Sequence, residues 1–154
     1  MLRIEMYNSE SPLENIDSVC YLIQKQMTSI GSSKSLEQIK HALANAFKPN
    51  SRAELFIGYD NNIPVAFAFG NIGAGIEADG DYFWLNEIYV DTPYRNRGYA
   101  NTLLTFVENR LKDEGINYFA CVTENENTVA QSVFRKKEFE LNSIIWVNKS
   151  IHTK

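Results

Sequence analysis

The sequence holds two cysteines, two histidines and four prolines among 154 residues, and each scarcity closes a class of function. Cys20 and Cys121 lie about a hundred residues apart with no CxxC pair, so neither a disulfide framework nor a zinc-ligand spacing is in view. His41 and His152 are too few for a histidine-rich centre, and no metal is expected. The longest apolar runs, such as Val65 to Phe69 and Tyr118 to Val122, are five residues long, against the roughly 20 that a bilayer span needs. A basic surplus is missing too: 15 Lys and Arg face 19 Asp and Glu, a net charge of −4, so no nucleic-acid partner is expected. Met1-Leu2-Arg3-Ile4-Glu5 has no apolar signal-peptide stretch, and the expectation is a soluble, reduced, cytoplasmic protein. What is present is ordinary for a folded globule, 44% hydrophobic and 22% charged, in a length that suits one domain over residues 1–154.

Periodicity sets out the elements. Leu2, Ile4 and Met6 alternate with polar neighbours as in a half-buried strand. Ser11-Pro12-Leu13-Glu14 reads as a helix start with a capping box, followed by Leu13, Ile16, Cys20, Ile23 and Met27 at helical spacing. Ser35 with Gln38 opens a second helix bearing Leu36, Ile39, Leu43, Ala46 and Phe47 on one face, with His41 on the solvated one. Strand-like runs at Leu55 to Tyr59 and Ile63 to Phe69 flank Asp60-Asn61-Asn62, a hairpin spacing. Gly70, Gly73, Gly75 and Gly80 mark a flexible loop, and nothing after it can open the helix of a dinucleotide motif. A strand from about Asp81 to Val90, a turn over Asp91 to Tyr94 and a helix from about Gly98 to Glu114 follow. Tyr118 to Val122 reads as a strand buried on both faces, holding Cys121 as an inert core thiol. Asn125 or Asn127 caps a fourth helix closed by Arg135-Lys136-Lys137, and Phe139 to Leu141 and Ile144 to Val147 form two last strands. The order β-α-α-β-β-β-α-β-α-β-β is a mixed α/β domain of six to seven strands and four helices. The last strand, with Ile144, Ile145 and Trp146, offers an edge to a second copy in a homodimer.

The chemistry concentrates between Leu85 and Ala100. An apolar strand ends, a short turn follows, and a helix opens at Gly98 with backbone amides unpaired. Such amides, at the positive end of the helix dipole, attract phosphate oxygens. Gly98 lets a phosphate approach without a Cβ, Ala100 keeps the first turn small, and Arg95 and Arg97 add positive charge beside it. Taken alone, Arg-x-x-Gly-x-Ala also fits a helix start whose arginines are merely solvated; its place directly after a buried strand favours a pyrophosphate site. The GxxxxGK[ST] loop of nucleotide hydrolysis is absent.

Arg95-Asn96-Arg97-Gly98-Tyr99-Ala100 resembles the [Q/R]-x-x-G-x-[G/A] acetyl-CoA motif of the GNAT acetyltransferase superfamily. Glu87-Ile88-Tyr89-Val90 is similar to the end of that family's fourth strand, and Asn127-Thr128-Val129-Ala130 with Phe134, Lys136 and Phe139 to its N-x-x-A-x-x-x-Y-x-K-x-G-F segment. The resemblance implies a GNAT-like fold and acetyl-CoA as cosubstrate. It implies that Ile88, Tyr89 and Val90 pair through their backbone with the pantetheine arm, and that Arg97, Gly98, Ala100 and Asn101 hold the pyrophosphate. Arg95, Asn96 and Tyr99 complete that turn. Asn127 would bond the pantetheine arm where the fourth and fifth strands splay, and the Ile88 or Tyr89 amide would face the developing oxyanion. Arg135-Lys136-Lys137 could reach the CoA 3′-phosphate or simply close its helix.

Two positions depart from the pattern. Phe134 stands where the family usually has the tyrosine thought to protonate the leaving thiolate, so water, another tyrosine or an unaided step takes over. Glu138 stands at the usual glycine. For the amine, Glu87 is the candidate base, on a face expected to hold Phe83, Leu85 and Tyr89; a carboxylate that bonds a loop or faces solvent fits the same residue. Asn86 falls on the other face unless a bulge exchanges the two. Glu77, Asp79, Asp81, Glu87 and Asp91, with Glu10, Glu14 and Asp17, suit either a cationic acceptor or solvated acidic loops. The implied activity is transfer of acetyl from acetyl-CoA to a primary amine; the alternative is a non-catalytic acyl-CoA sensor of the same fold.

Overall fold

The computed structural model describes residues 1–151, and His152 lies outside them. The chain divides into two units, Met1–Val122 and Thr123–Lys154. The first is a five-stranded sheet in the order β1-β2-β3-β4-β5: β1 Arg3–Tyr7, β2 Ala53–Asp60, β3 Ile63–Gly75, β4 Gly80–Val90 and β5 Tyr118–Ala120. β1 to β4 pair antiparallel, and β5 pairs parallel to β4. The mixed α/β class therefore stands, with five strands among the described residues in place of the expected six to seven. Phe139 to Leu141 and Ile144 to Val147 form no strand, because a strand needs a neighbour to bond its backbone and none pairs there; Ile145 is 91% exposed. The edge anticipated for a second copy is thus not a strand.

Helices α1 (Asp17–Ser29) and α2 (Leu36–Ala46) cover one face of the sheet. Val19, Cys20, Leu22, Ile39 and Leu43 pack there against Leu55, Ile57, Phe67 and Tyr89. Helix α3 (Tyr99–Asp113) covers the other, where Phe106 meets Phe56 and Phe56 meets Phe83, both edge to face. Ser35 caps α2 reciprocally with Gln38, as the spacing predicts. The first helix does not start at Ser11. Asn8 Oδ1 accepts the Glu10 and Ser11 amides in a side-chain turn, and α1 begins at Asp17 without a side-chain cap.

The glycine-rich segment is strand rather than loop. β3 runs to Gly75 and returns through Ile76–Asp79, and the glycines are bare because aromatic rings occupy the space. A Cβ on Gly70 would lie 2.3 Å from Phe83 Cζ and 2.5 Å from the Trp84 carbonyl; one on Gly73 would lie 2.7 Å from Tyr82 Cζ. β5 is shorter and less buried than expected: Tyr118 is 56% exposed at the sheet's edge, and Cys121, half-buried, follows the strand. Burial still pushes the Cys121 thiol up to about 11.

In the second unit, Asn127 caps α4 (Thr128–Lys136) by accepting the Ala130 amide at 3.1 Å. The helix ends in a left-handed residue, Glu138, at φ 63°. The Phe139 amide bonds the Phe134 carbonyl, the Glu138 amide bonds that of Arg135, and the rings of Phe134 and Phe139 meet at 5.2 Å. This is a glycine-type helix stop with its hydrophobic contact, occupied by glutamate. The departure at Glu138 keeps the backbone of the usual glycine. Among the described residues no helix is long and apolar enough to cross a membrane.

Candidate functional site

The site grows from a register slip in β4. Phe69 pairs with Glu87 but its neighbour Gly70 pairs with Leu85, so Asn86 is the extra residue of a bulge. Without the bulge, Phe83, Leu85, Glu87 and Tyr89 would share one face. With it, Phe83 points toward α3 while Glu87 and Tyr89 turn to the α1 side, opposite Phe69 and Phe67. The expected grouping of Glu87 with Phe83 and Leu85 is therefore corrected, and Asn86 is exposed, bonded by Asn71 at 2.8 Å.

The slip also opens an edge. β5 pairs with Tyr82, Phe83 and Trp84 and no further. From Leu85 to Val90, β4 has a strand partner on the β3 side alone among the described residues. Asp91 bonds Val65 across the β3–β4 ladder, so by alternation Tyr89, opposite Phe67, also turns its peptide groups to β3, while those of Ile88 and Val90 point away from it. The Val90 carbonyl accepts Arg95 Nε, and the Ile88 groups lie on a strand edge of the kind an extended ligand can join.

The gap leads to the mouth of α3. Asp91 is buried, accepts the Thr92 amide at 2.9 Å and pairs with Lys25 of α1 at 2.5 Å, so the single 3-10 turn Thr92–Tyr94 is anchored from below. Asn96 and Gly98 both take left-handed backbone, at φ 61° and 77°. Gly98 is the N-cap; no side chain caps the helix, its first turn holds no acid, and its first backbone bond is Thr102 to Gly98. The amides of Tyr99, Ala100 and Asn101 thus precede the helical ladder, at the positive end of the dipole. A Cβ on Gly98 would meet nothing within 4 Å: the space before the helix is open.

The two arginines do not both reach into that space. Arg95 Nε donates to the Val90 carbonyl at 2.9 Å and its guanidinium lies over the Tyr89 ring. Arg97 stands over the Tyr94 ring and 3.6 Å from Asp60, whose carboxylate also accepts the Tyr99 hydroxyl at 2.9 Å. Both guanidiniums brace the turn, and the donors left without a helical partner at the start of α3 are backbone amides.

Glu87 is half-buried beneath α1. Burial pushes its carboxyl above the usual range, and the Gln26 amide, donating from Nε2 at 2.7 Å, pulls it part of the way back. A carboxylate with a raised pKa and one neutral donor is equipped to take a proton. On the same face, beyond the bulge, a cavity of about 370 Å³ is lined by Tyr82, Trp84, Tyr118 and Glu77. Gln26 and this aromatic wall were not legible in the sequence: a mid-helix glutamine reads as surface, and the wall depends on the β4–β5 register. Asn127 and Phe134 belong to the second unit, where one caps α4 and the other is buried against Phe139.

The profile of the acetyltransferase (GNAT) family matches residues 16–139. No curated protein matches the chain. Among solved structures, a possible acetyltransferase from Clostridium difficile 630 is 17% identical with a TM-score of 0.80, covering 99% of each chain. The aminoglycoside N-acetyltransferase AAC(6')-Iy in complex with CoA is 19% identical with a TM-score of 0.79, covering 98% of this chain and 96% of that one. A ribosomal-protein-alanine N-acetyltransferase from Brucella melitensis biovar Abortus 2308 is 10% identical with a TM-score of 0.73, covering 100% of both. At such identities the likeness is one of fold.

Proposed function

The chain belongs to the GNAT acetyltransferase family, and on that premise we propose that it moves an acetyl group from acetyl-CoA to a primary amine by direct attack, as a single-domain transferase with no covalent enzyme intermediate. The observation that carries this reading is the unpaired edge of β4 running into the uncapped mouth of α3. The edge suits the amide-bearing pantetheine arm lying along Ile88, Tyr89 and Val90 and bonded by the outward groups of Ile88 and Val90; the Tyr89 groups, turned to β3, do not take part. The amides of Arg97, Gly98, Ala100 and Asn101 suit the diphosphate.

Acetyl-CoA supplies a thioester whose carbonyl carbon accepts the amine. A lysine-like ammonium with pKa near 10.4 costs about 4–5 kcal/mol to deprotonate at neutral pH, and Glu87 takes that proton. The amine nitrogen bonds the acetyl carbon, the carbon–sulfur bond breaks, and the thiolate leaves. Of the two expected donors, the Tyr89 amide is turned to β3, so the outward Ile88 amide donates to the carbonyl oxygen as it becomes negative. Phe134 has no proton to give, and a thiol with a pKa of about 8.5 is reprotonated by water.

The aromatic cavity with Glu77, on the face that Glu87 shares, supports a cationic acceptor, since aromatic faces and a carboxylate both attract an ammonium. The aminoglycoside and protein-alanine enzymes of this fold act on different amines, and the panel that tests the proposal includes both kinds. Unpaired thiols fit a cytoplasmic setting. Free-thiol release from acetyl-CoA across amines is the test. Amine-dependent release supports transfer; tight CoA binding with no release from any amine overturns it in favour of an acyl-CoA sensor.

A further inference from the structure

Gly98 holds φ 77°, and nothing in a glycine's own chemistry fixes that angle. No side chain caps α3 either, so contacts of the neighbouring residues must impose it. Both neighbours of Gly98 are tied to one carboxylate. Asp60, the last residue of β2, accepts the Tyr99 hydroxyl at Oδ2 at 2.9 Å, and the same oxygen lies 3.6 Å from Arg97 Nη1. Arg97 also donates to the Pro93 carbonyl at 3.4 Å, with its guanidinium over the Tyr94 ring. Asp60 stands on a firm base. Its backbone pairs with Ile63 across a tight turn of two left-handed residues, Asn61 and Asn62, and Asn61 Nδ2 donates to its Oδ1 at 3.2 Å. The side chain is only 14% exposed. A carboxylate beside a diphosphate repels it, so the place of Asp60 calls for a use other than its charge.

We propose that Asp60 is a positioning residue for the diphosphate: by fastening the side chains of Arg97 and Tyr99 it fixes the peptide groups on either side of Gly98, and with them the direction of the amides that receive the phosphate oxygens. The proposal rests on the reading of the α3 mouth as the diphosphate site. Asp60 itself touches neither the coenzyme nor the acetyl group. Its charge works against an anion and its geometry in favour of one, so the two effects predict opposite signs when it is removed. Acting through charge alone, its loss would release Arg97 and tighten the anion. Acting through geometry, its loss frees the backbone at Gly98, and the anion binds more weakly although a negative charge has gone.

Calorimetric titrations of CoA and of pantetheine on the full chain separate the two, with thermal melts to show that each variant is folded. In Asp60→Ala, CoA affinity falls about tenfold, while pantetheine, which has no diphosphate, binds as it does to the parent. Asp60→Asn keeps an oxygen for the Tyr99 hydroxyl and recovers most of the loss. Tyr99→Phe removes the hydroxyl and no charge; it lowers CoA affinity in the same direction and stands in for Asp60→Ala if that variant does not fold. The two changes together cost no more than the worse of them alone, because they break the same tie. CoA binding unchanged or tighter in Asp60→Ala, or unchanged in Tyr99→Phe, overturns the proposal. So does a lowered melting temperature with the preference for CoA over pantetheine intact, the mark of a purely structural aspartate. The parent reading fails separately: a parent protein that binds CoA no more tightly than pantetheine has no diphosphate site, and the proposal falls with it. A parent that prefers CoA, with variants that keep the whole preference, removes the role of Asp60 alone.

Discussion

Gly98→Ala separates the strain of the α3 mouth from its binding role, because the fold supplies a matched control. Gly98 and Gly115 both hold left-handed backbone, at φ 77° and 69°, and a Cβ on either would meet nothing within 4 Å. Gly98 opens α3; Gly115 closes it, with the Ile116 amide bonded to the Leu111 carbonyl. Alanine at either position pays only for backbone conformation, about 1–2 kcal/mol. In a chain of this size that lowers the melting temperature by roughly 2–8 °C. Binding should split the pair. At Gly98 the added Cβ projects where a phosphate must approach, and relief of strain tilts the neighbouring amides. Losing one charge-assisted hydrogen bond of about 1.5–3 kcal/mol weakens CoA by roughly 10- to 150-fold. Gly115→Ala binds CoA as the parent does. Calorimetric titration of both variants, with thermal melts alongside, measures the two terms. Equal CoA affinity in the two variants, with equal loss of stability, refutes the assignment of the α3 mouth.

Glu138→Gly relieves a non-glycine residue in the left-handed region and should stabilise the chain by about 0.5–1 kcal/mol, read from denaturant melts; a loss of stability would contradict the helix-stop reading. Glu87 binds its proton more tightly folded than unfolded, so its charge destabilises the fold above the folded pKa and has no effect below the unfolded one. Glu87→Gln should therefore raise the melting temperature at neutral pH, with a gain that shrinks as pH falls toward 4; a gain that grows on acidification contradicts the burial argument. Cys20 is fully buried and the Cys121 thiol is pushed up to about 11, so neither should react quickly with a disulfide reagent at pH 7.5 until the protein unfolds. Rapid modification of Cys121 in the folded protein would count against its burial.

What the sequence disclosed divides along a physical line. Features that close within a few residues were readable: the Ser35–Gln38 box, the Asn61–Asn62 hairpin with both residues at positive φ, the Gly98 helix mouth. Ser11-Pro12-Leu13-Glu14 misled because the letters that cap a helix also follow a side-chain turn, and Asn8 took the amides first. Gly70, Gly73 and Gly75 read as a loop because their reason for being glycine lies on the partner strand, in the rings of Phe83 and Tyr82. The two expected C-terminal strands failed on the same ground, since alternation specifies a strand only where another strand bonds it. Glu87 was named as candidate base from the strand it lies on, but the face it occupies depends on where β3 and β4 slip by one residue. Gln26 could not be found from sequence, as its burial is created by the sheet beneath it.

The central claim is that backbone amides at the start of α3 hold the diphosphate of coenzyme A. The most direct measurement compares calorimetric titrations of CoA and of pantetheine, which has the same arm and thiol but no diphosphate. The account predicts saturable one-to-one binding of CoA and an affinity for pantetheine at least about 100-fold weaker, the worth of two or more charge-assisted hydrogen bonds. Equal affinities, or no heat from CoA with protein shown to be folded, would contradict it.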